Sequence, residues 1–199
     1  MRRRMCALMM SLLLLTGCGG KGTGGHSADE LALNIRTEYM AMKAFRASVD
    51  VIADYGKRVY EYTLDVSWEQ DGETVLTVVK PDIIAGITAR IQNGASFLDY
   101  DGVSLETGVL SADGFSPMEA IPALINYAVA GYIAQSGFED TQEGQRLLWI
   151  SCRVPENSPG TGTEAELWFD AMNHNLVRGE ILYDGYTVIQ CVFTEFTKE

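Results

Sequence analysis

Few residues in this 199-residue chain are suited to covalent, acid–base or metal chemistry: four cysteines, two histidines and scattered carboxylates. A catalytic histidine needs a nucleophile or an orienting carboxylate within reach, and the sequence nominates neither for His26, in a glycine-rich stretch, or for His174, in Asn173-His174-Asn175. His174 reads as a surface turn residue. No Cys/His cluster has zinc-ligand spacing. The carboxylates from Asp65 to Asp71 and in Asp99-Tyr100-Asp101-Gly102 lack the calcium-loop pattern with its terminal glutamate, and Asp-Gly is explained by hairpin conformation alone. No glycine-rich loop opens a helix to cradle phosphate. The sequence therefore predicts no catalytic residue, no metal site and no cofactor, and the chain does not read as an enzyme.

One cysteine stands out by position. Arg2, Arg3 and Arg4 precede an apolar run from Met5 to Leu15, and small residues lead into Cys18, the three-part layout of a secretory signal. The run is too short to span a bilayer comfortably, which takes roughly 20 apolar residues. Leu15-Thr16-Gly17-Cys18 resembles the lipobox of bacterial lipoproteins. That resemblance implies cleavage before Cys18, lipidation of its sulfur, and a membrane partner held through the amino-terminal lipid on the extracytoplasmic face. The competing reading is an ordinary signal cleaved elsewhere. An aspartate directly after the cysteine would argue against an outer membrane; Gly19 leaves the choice of membrane open. The predicted organisation is a signal over 1–17, a lipidated cysteine and glycine-rich tether over 18–26, and a single domain over 27–199.

Loss of the three leader arginines takes the formal charge from −12 to near −15. Such acidity opposes nucleic-acid binding, which requires a basic footprint. Cys152 and Cys191 both fall in expected strands, and two readings stay open for them: a disulfide, or two buried thiols acting as small hydrophobes.

Around these residues the elements follow one another simply. Ser27 with Glu30 is a capping-box signature, and Leu31, Ile35, Tyr39 and Met42 recur at helical spacing to about Ala44. Alternation then predicts strands from Arg46 to Tyr55 and Lys57 to Gln70, the latter placing Tyr60, Tyr62, Leu64, Val66 and Trp68 on one face. Asp71-Gly72, Asn93-Gly94, Asp101-Gly102 and Asp184-Gly185 mark hairpins. Ile83, Ala85, Ile87, Ala89 and Ile91 predict a strand between two of them. Ser116-Pro117 with Glu119 starts a helix that Pro122 is expected to kink or restart. The uncharged run Ala120 to Phe138 predicts a helix buried nearly all round, from about Pro122 to Gln135, against the concave face of the sheet. Strands resume from Gln145 to Val154, Glu164 to Asp170, Asn175 to Tyr183 and Tyr186 to Phe196.

This order of helix, meander, apolar helix and meander, with Val79-Lys80-Pro81 and Tyr100-Asp101-Gly102 among its turns, is similar to that of the LolA/LolB family of lipoprotein carriers. The resemblance implies an α+β fold: an incomplete antiparallel β-barrel, or half-barrel, covering an amino-terminal helix and a central apolar helix, with an apolar cavity between. Candidate cavity-lining residues are Tyr60, Tyr62, Trp68, Leu124, Ile125, Val129 and Tyr132, with Trp149, Trp168, Tyr186 and Phe196 as companions; the same residues can equally be plain core. Two functions follow. In one the half-barrel binds a lipid, acyl chain or other apolar ligand. In the other, implied by anchored relatives such as the spore-germination lipoprotein GerS, the domain holds a cell-envelope protein such as a wall-modifying enzyme, and an edge strand of the incomplete barrel accepts a partner strand.

Overall fold

A computed structural model describes residues 27–92, 95–108 and 113–199. The leader, Cys18, the glycine-rich tether and the Asn93-Gly94 turn lie outside the described residues. Helix α1 (Ala28–Ala41) is capped by Ser27, whose Oγ accepts from the Glu30 amide at 3.2 Å, with Asp29 and Glu30 in the first turn where the helix dipole favours anions. Its buried stripe is Leu31, Ala32, Ile35 and Tyr39.

The strands are β1 (Ala44–Asp54), β2 (Val59–Glu69), β3 (Thr74–Lys80), β4 (Thr88–Gln92), β5 (Ala95–Tyr100) and β6 (Val103–Gly108) before the second helix, α2 (Pro117–Ala130), and β7 (Tyr132–Asp140), β8 (Arg146–Arg153), β9 (Thr163–Asp170), β10 (Leu176–Tyr183) and β11 (Tyr186–Lys198) after it. They form one sheet in the order β6-β5-β4-β3-β2-β1-β11-β10-β9-β8-β7, with every neighbouring pair antiparallel. The first meander walks outward from β1 to the β6 edge. Helix α2 carries the chain to the opposite edge, and the second meander walks back until β11 pairs with β1. Among the described residues the sheet stays open, with β6 and β7 as its edges. Both helices pack on its concave face, where Val49, Val51, Leu64, Leu76, Leu148, Leu167, Ile181 and Ile189 form one buried core with Leu124 and Ile35.

The structure corrects the sequence reading in three places and decides between two alternatives in a fourth. Residues 82–87 are not strand: a 3-10 turn over Asp82–Ile84 follows Pro81, and only Thr88–Gln92 pairs. Local bonds take the backbone here, from Ile84 N to Pro81 O at 3.1 Å and from Ile87 N to Ile84 O at 3.2 Å. Alternation misleads because Ile84 and Ile87 still turn to the core, while Ile83 is 87% exposed. Helix α2 also runs through Pro122 without stopping. A mid-helix proline costs roughly 3 kcal/mol, yet Ile121, Leu124 and Ile125 are buried beside it, each worth about 1.5–3 kcal/mol, so packing wins. Third, the helix ends at Ala130 and Tyr132–Asp140 is strand β7. The Arg36 guanidinium ends it: Nε donates to Ala128 O at 3.2 Å and Nη2 donates to Gly131 O, satisfying carbonyls that a continuing helix would have used. Finally, Cys152 and Cys191 are free buried thiols and not a disulfide. Their strands β8 and β11 are separated by β9 and β10, three steps of about 4.8 Å, whereas a bridge needs Cα atoms within about 7 Å.

Candidate functional site

The candidate cavity residues divide into three groups. Leu124 and Ile125, on α2, are fully buried core. Leu124 lies on the bare backbone of β10: a Cβ added at Gly179 would fall 2.6 Å from Leu124 Cδ1. Helix and sheet are in contact at this point, with no room for a ligand between them. Val129 packs half-buried against the same core.

Trp68 belongs to an aromatic stack at the base of the concave face. Its ring lies 5.7 Å from Phe45, Phe45 lies 5.3 Å from Phe196, and Phe196 stacks on Tyr39 at 6.2 Å. Tyr39 meets Phe169 edge-on at 5.3 Å, and its hydroxyl accepts from Leu176 N at 2.9 Å and donates to His174 O. Burial raises the Tyr39 phenol well above its ordinary value, so it stays neutral and keeps both bonds. This stack joins β2, β1, β11, α1 and β9, and it reads as structural cement.

Tyr60 and Tyr62 sit at the other end of β2. They stack at 6.5 Å, and Tyr60 lies 6.1 Å from Tyr55. The Tyr55 hydroxyl donates to Phe115 O at 2.8 Å, and Phe115 in turn meets Tyr183 edge-on at 5.6 Å. These rings ring the mouth of the concave face and brace the segment leading into α2. Tyr132, expected on the helix, opens β7 and is 52% exposed.

Trp149 and Trp168 also leave the expected face. The inward rows of β8 and β9 are Leu148, Ile150 and Cys152, and Ala165, Leu167 and Phe169; the tryptophans, which are cross-strand partners, stand on the convex side. There Trp168 Nε1 donates to Glu139 at 2.7 Å, and the Arg178 guanidinium lies 4.6 Å over the Trp168 ring while paired with Glu180. Glu166 faces Glu180 directly. Burial, then the neighbouring Glu180 carboxylate, pushes the Glu166 carboxyl upward. Phe196 is concave, as expected, and Tyr186 is exposed at the β10–β11 turn.

A depression of about 440 Å³ lies on the convex face across β11, β1, β2 and β3, lined by Arg46, Ser48, Asp65, Ser67, Thr77 and Glu195. Ala47, Val66 and Val75 add apolar surface to this lining, and the depression opens on the side of the sheet away from the helices. His174 holds a left-handed turn conformation (φ +62°), as a turn residue would, with Nδ1 2.6 Å from the Glu38 carboxylate. Among the described residues no three His, Cys, Asp or Glu side chains are grouped to hold a metal ion, and no helix is long and apolar enough to cross a membrane.

No protein-family model matches the sequence, and no curated protein matches it. Likeness appears at the level of structure. The crystal structure of an uncharacterized conserved protein from Thermus thermophilus superposes with a TM-score of 0.52 over 87% of this chain and 88% of that one, at 12% identity. A DUF1329 family protein from Desulfovibrio piger gives 0.50 over 86% and 92%, at 9% identity. A LolA superfamily protein from Nitrosomonas europaea gives 0.47 over 88% and 94%, also at 9% identity. What decides the fold is the sheet itself: among the described residues, eleven antiparallel strands, left unclosed, curled over an amino-terminal helix and a helix inserted between two meanders.

The chain shares its fold with the Thermus thermophilus and Desulfovibrio piger proteins.

Within this fold both helices lie on the face that the sequence led one to expect, and Trp68, Leu124, Ile125 and Phe196 pack in or against the core. The β6 edge, whose six residues are all exposed, was not foreseen. The signal was present: Asp101-Gly102 is a hairpin turn, so a returning strand had to follow it, and Val103 and Leu105 alternate with Ser104 and Glu106.

Proposed function

We propose that this protein is a non-catalytic, lipid-anchored module of the extracytoplasmic envelope that holds a protein partner. The observation that supports this reading is the contact of Leu124 with the Gly179 backbone: at that point α2 lies directly on the sheet and leaves no space for an apolar ligand, while among the described residues the sheet remains open at its edges. A half-barrel filled by its own helix offers surface rather than volume, and ligand pockets need several hundred Å³ of apolar space. The lipobox-like Leu15-Thr16-Gly17-Cys18 supplies the anchor in this account, and the acidic charge keeps the domain soluble beside the membrane.

A second reading, an apolar ligand taken up beneath α2, is favoured by the tyrosines at the mouth, where Tyr60 is 38% exposed. It requires the helix to swing outward and release Leu124. Lysine-reactive cross-linking of the intact lipoprotein on native membranes separates the two. The partner reading expects one discrete adduct, reproducible between preparations and identified by mass spectrometry. Repeated absence of any adduct, with the protein present and folded, would count against it.

A further inference from the structure

The two sheet edges are unlike. Against β7 lies α1, with Ser136 Oγ and Asp29 Oδ1 hydrogen-bonded between them. Strand β6 pairs with β5 on one side and, among the described residues, with nothing on the other. Its backbone groups are therefore available to a further strand, a feature that proteins commonly suppress because it invites pairing.

The side chains of β6 are sorted by face. Leu105 stands opposite Leu98, which packs on the core, and Val103 stands opposite Tyr100. Val103 and Leu105 are 68% and 63% exposed, an apolar row continuing the concave face past its last covered strand. The convex side is polar and acidic. Glu106 stands opposite Phe97 and Ser104 opposite Asp99. The nearby cation, Arg90, is held by Asp99 and by Glu73 at 3.0 Å, so two carboxylates share one guanidinium and Glu106 adds a third negative charge. Resting on the partner reading above, we infer that β6 is the docking edge and that its occupant is an extended segment of another protein. That segment alternates apolar residues, set against Val103 and Leu105, with lysines or arginines, set against Glu106.

A second copy of this chain fits less well. Antiparallel self-pairing of β6 brings Glu106 of one copy towards that of the other, in a protein of net charge −12, and like charges facing across strands destabilise a pair. A cationic strand turns that repulsion into attraction and buries the apolar row, with main-chain bonds supplying affinity and alternate side chains supplying selectivity.

The test uses the full-length protein and three synthetic peptides: alternating valine and lysine, alternating valine and glutamate, and the first composition rearranged in blocks. Binding is read by fluorescence anisotropy near physiological ionic strength. The alternating lysine peptide is expected to bind at least about fivefold more tightly than the glutamate one, from cross-strand pairs of up to roughly 1 kcal/mol each, and the block peptide more weakly than either. Glu106→Lys should lower the lysine-to-glutamate preference at least threefold, whereas Glu143→Lys, the same charge change in the exposed β7–β8 turn, should leave it in place. Equal binding of the two alternating peptides, or equal effects of the two substitutions, overturns the assignment. So does a concentration-dependent dimer in sedimentation that Glu106→Lys alters. A photo-crosslinker at position 105 in cells separates this failure from that of the partner reading. Peptide selectivity without any cellular adduct would sink the partner; an adduct at 105 without charge selectivity would sink the chemistry assigned to it.

Discussion

Leu124 on α2 rests directly on the backbone of Gly179 in β10, so closely that a Cβ at 179 would stand 2.6 Å from Leu124 Cδ1. The same contact holds the helix against the sheet and leaves no space between them at this point. Gly179→Ala is expected to destabilise the domain by about 1–3 kcal/mol through overpacking, and Leu124→Ala by about 2–5 kcal/mol through loss of a buried leucine. Urea unfolding of each variant measures both. An unchanged midpoint for Gly179→Ala would mean that the helix sits away from the sheet in solution.

Arg36 is expected to matter more than its place on a helix surface suggests, because its guanidinium bonds the carbonyls of Ala128 and Gly131 at the end of α2. Bonds to charged groups are worth roughly 1.5–3 kcal/mol. Arg36→Ala should lower stability by about that much, and it should raise hydrogen exchange at the carboxyl end of α2 more than at its start. Uniform exchange along α2 would remove this role.

The free cysteines make a redox prediction. Burial pushes the Cys152 thiol up to about 11 and the Cys191 thiol higher still, so neither forms the reactive thiolate at neutral pH. Iodoacetamide should leave both unmodified in the folded protein and modify both after denaturation, as read by mass. A persistent loss of two hydrogens under denaturing, non-reducing conditions would instead reveal a disulfide.

Glu166 and Glu180 face each other across β9 and β10. A carboxyl raised in the folded state favours folding while protonated, so this contribution is present at acid pH and fades as pH rises from the ordinary glutamate value of 4.5 through the raised folded one. Glu166→Gln keeps the shape without the charge. It should stabilise the domain near neutrality by roughly 0.2–1 kcal/mol and flatten the fall in stability above the glutamate range, and thermal unfolding across pH shows whether it does.

Much of this architecture was readable in advance. The Asp101-Gly102 and Asp184-Gly185 turns take left-handed φ values at both residues, the conformation that two-residue hairpins require and that few sequences supply. The capping serine and the stripe Leu31, Ile35 and Tyr39 placed α1. Two features escaped for physical reasons. The uncharged run from Ala120 to Phe138 spans a buried helix and the start of a partly buried strand, and hydrophobicity alone cannot mark the join; a distant residue, Arg36, marks it. Trp149 and Trp168 look like core by type, yet a convex surface can shelter a large ring under Arg178 and Glu139, which no local pattern encodes. The candidate ligand site fared similarly: the sequence named the residues around α2, but only packing reveals whether space lies between them.

The most direct test of the central claim, that this domain offers a surface and not a lipid cavity, is native mass spectrometry of the full-length protein set against its denatured mass. The account predicts identical masses, the covalent lipid being carried in both. A stoichiometric apolar molecule present only in the native ion would contradict it and return the space beneath Leu124 to a ligand.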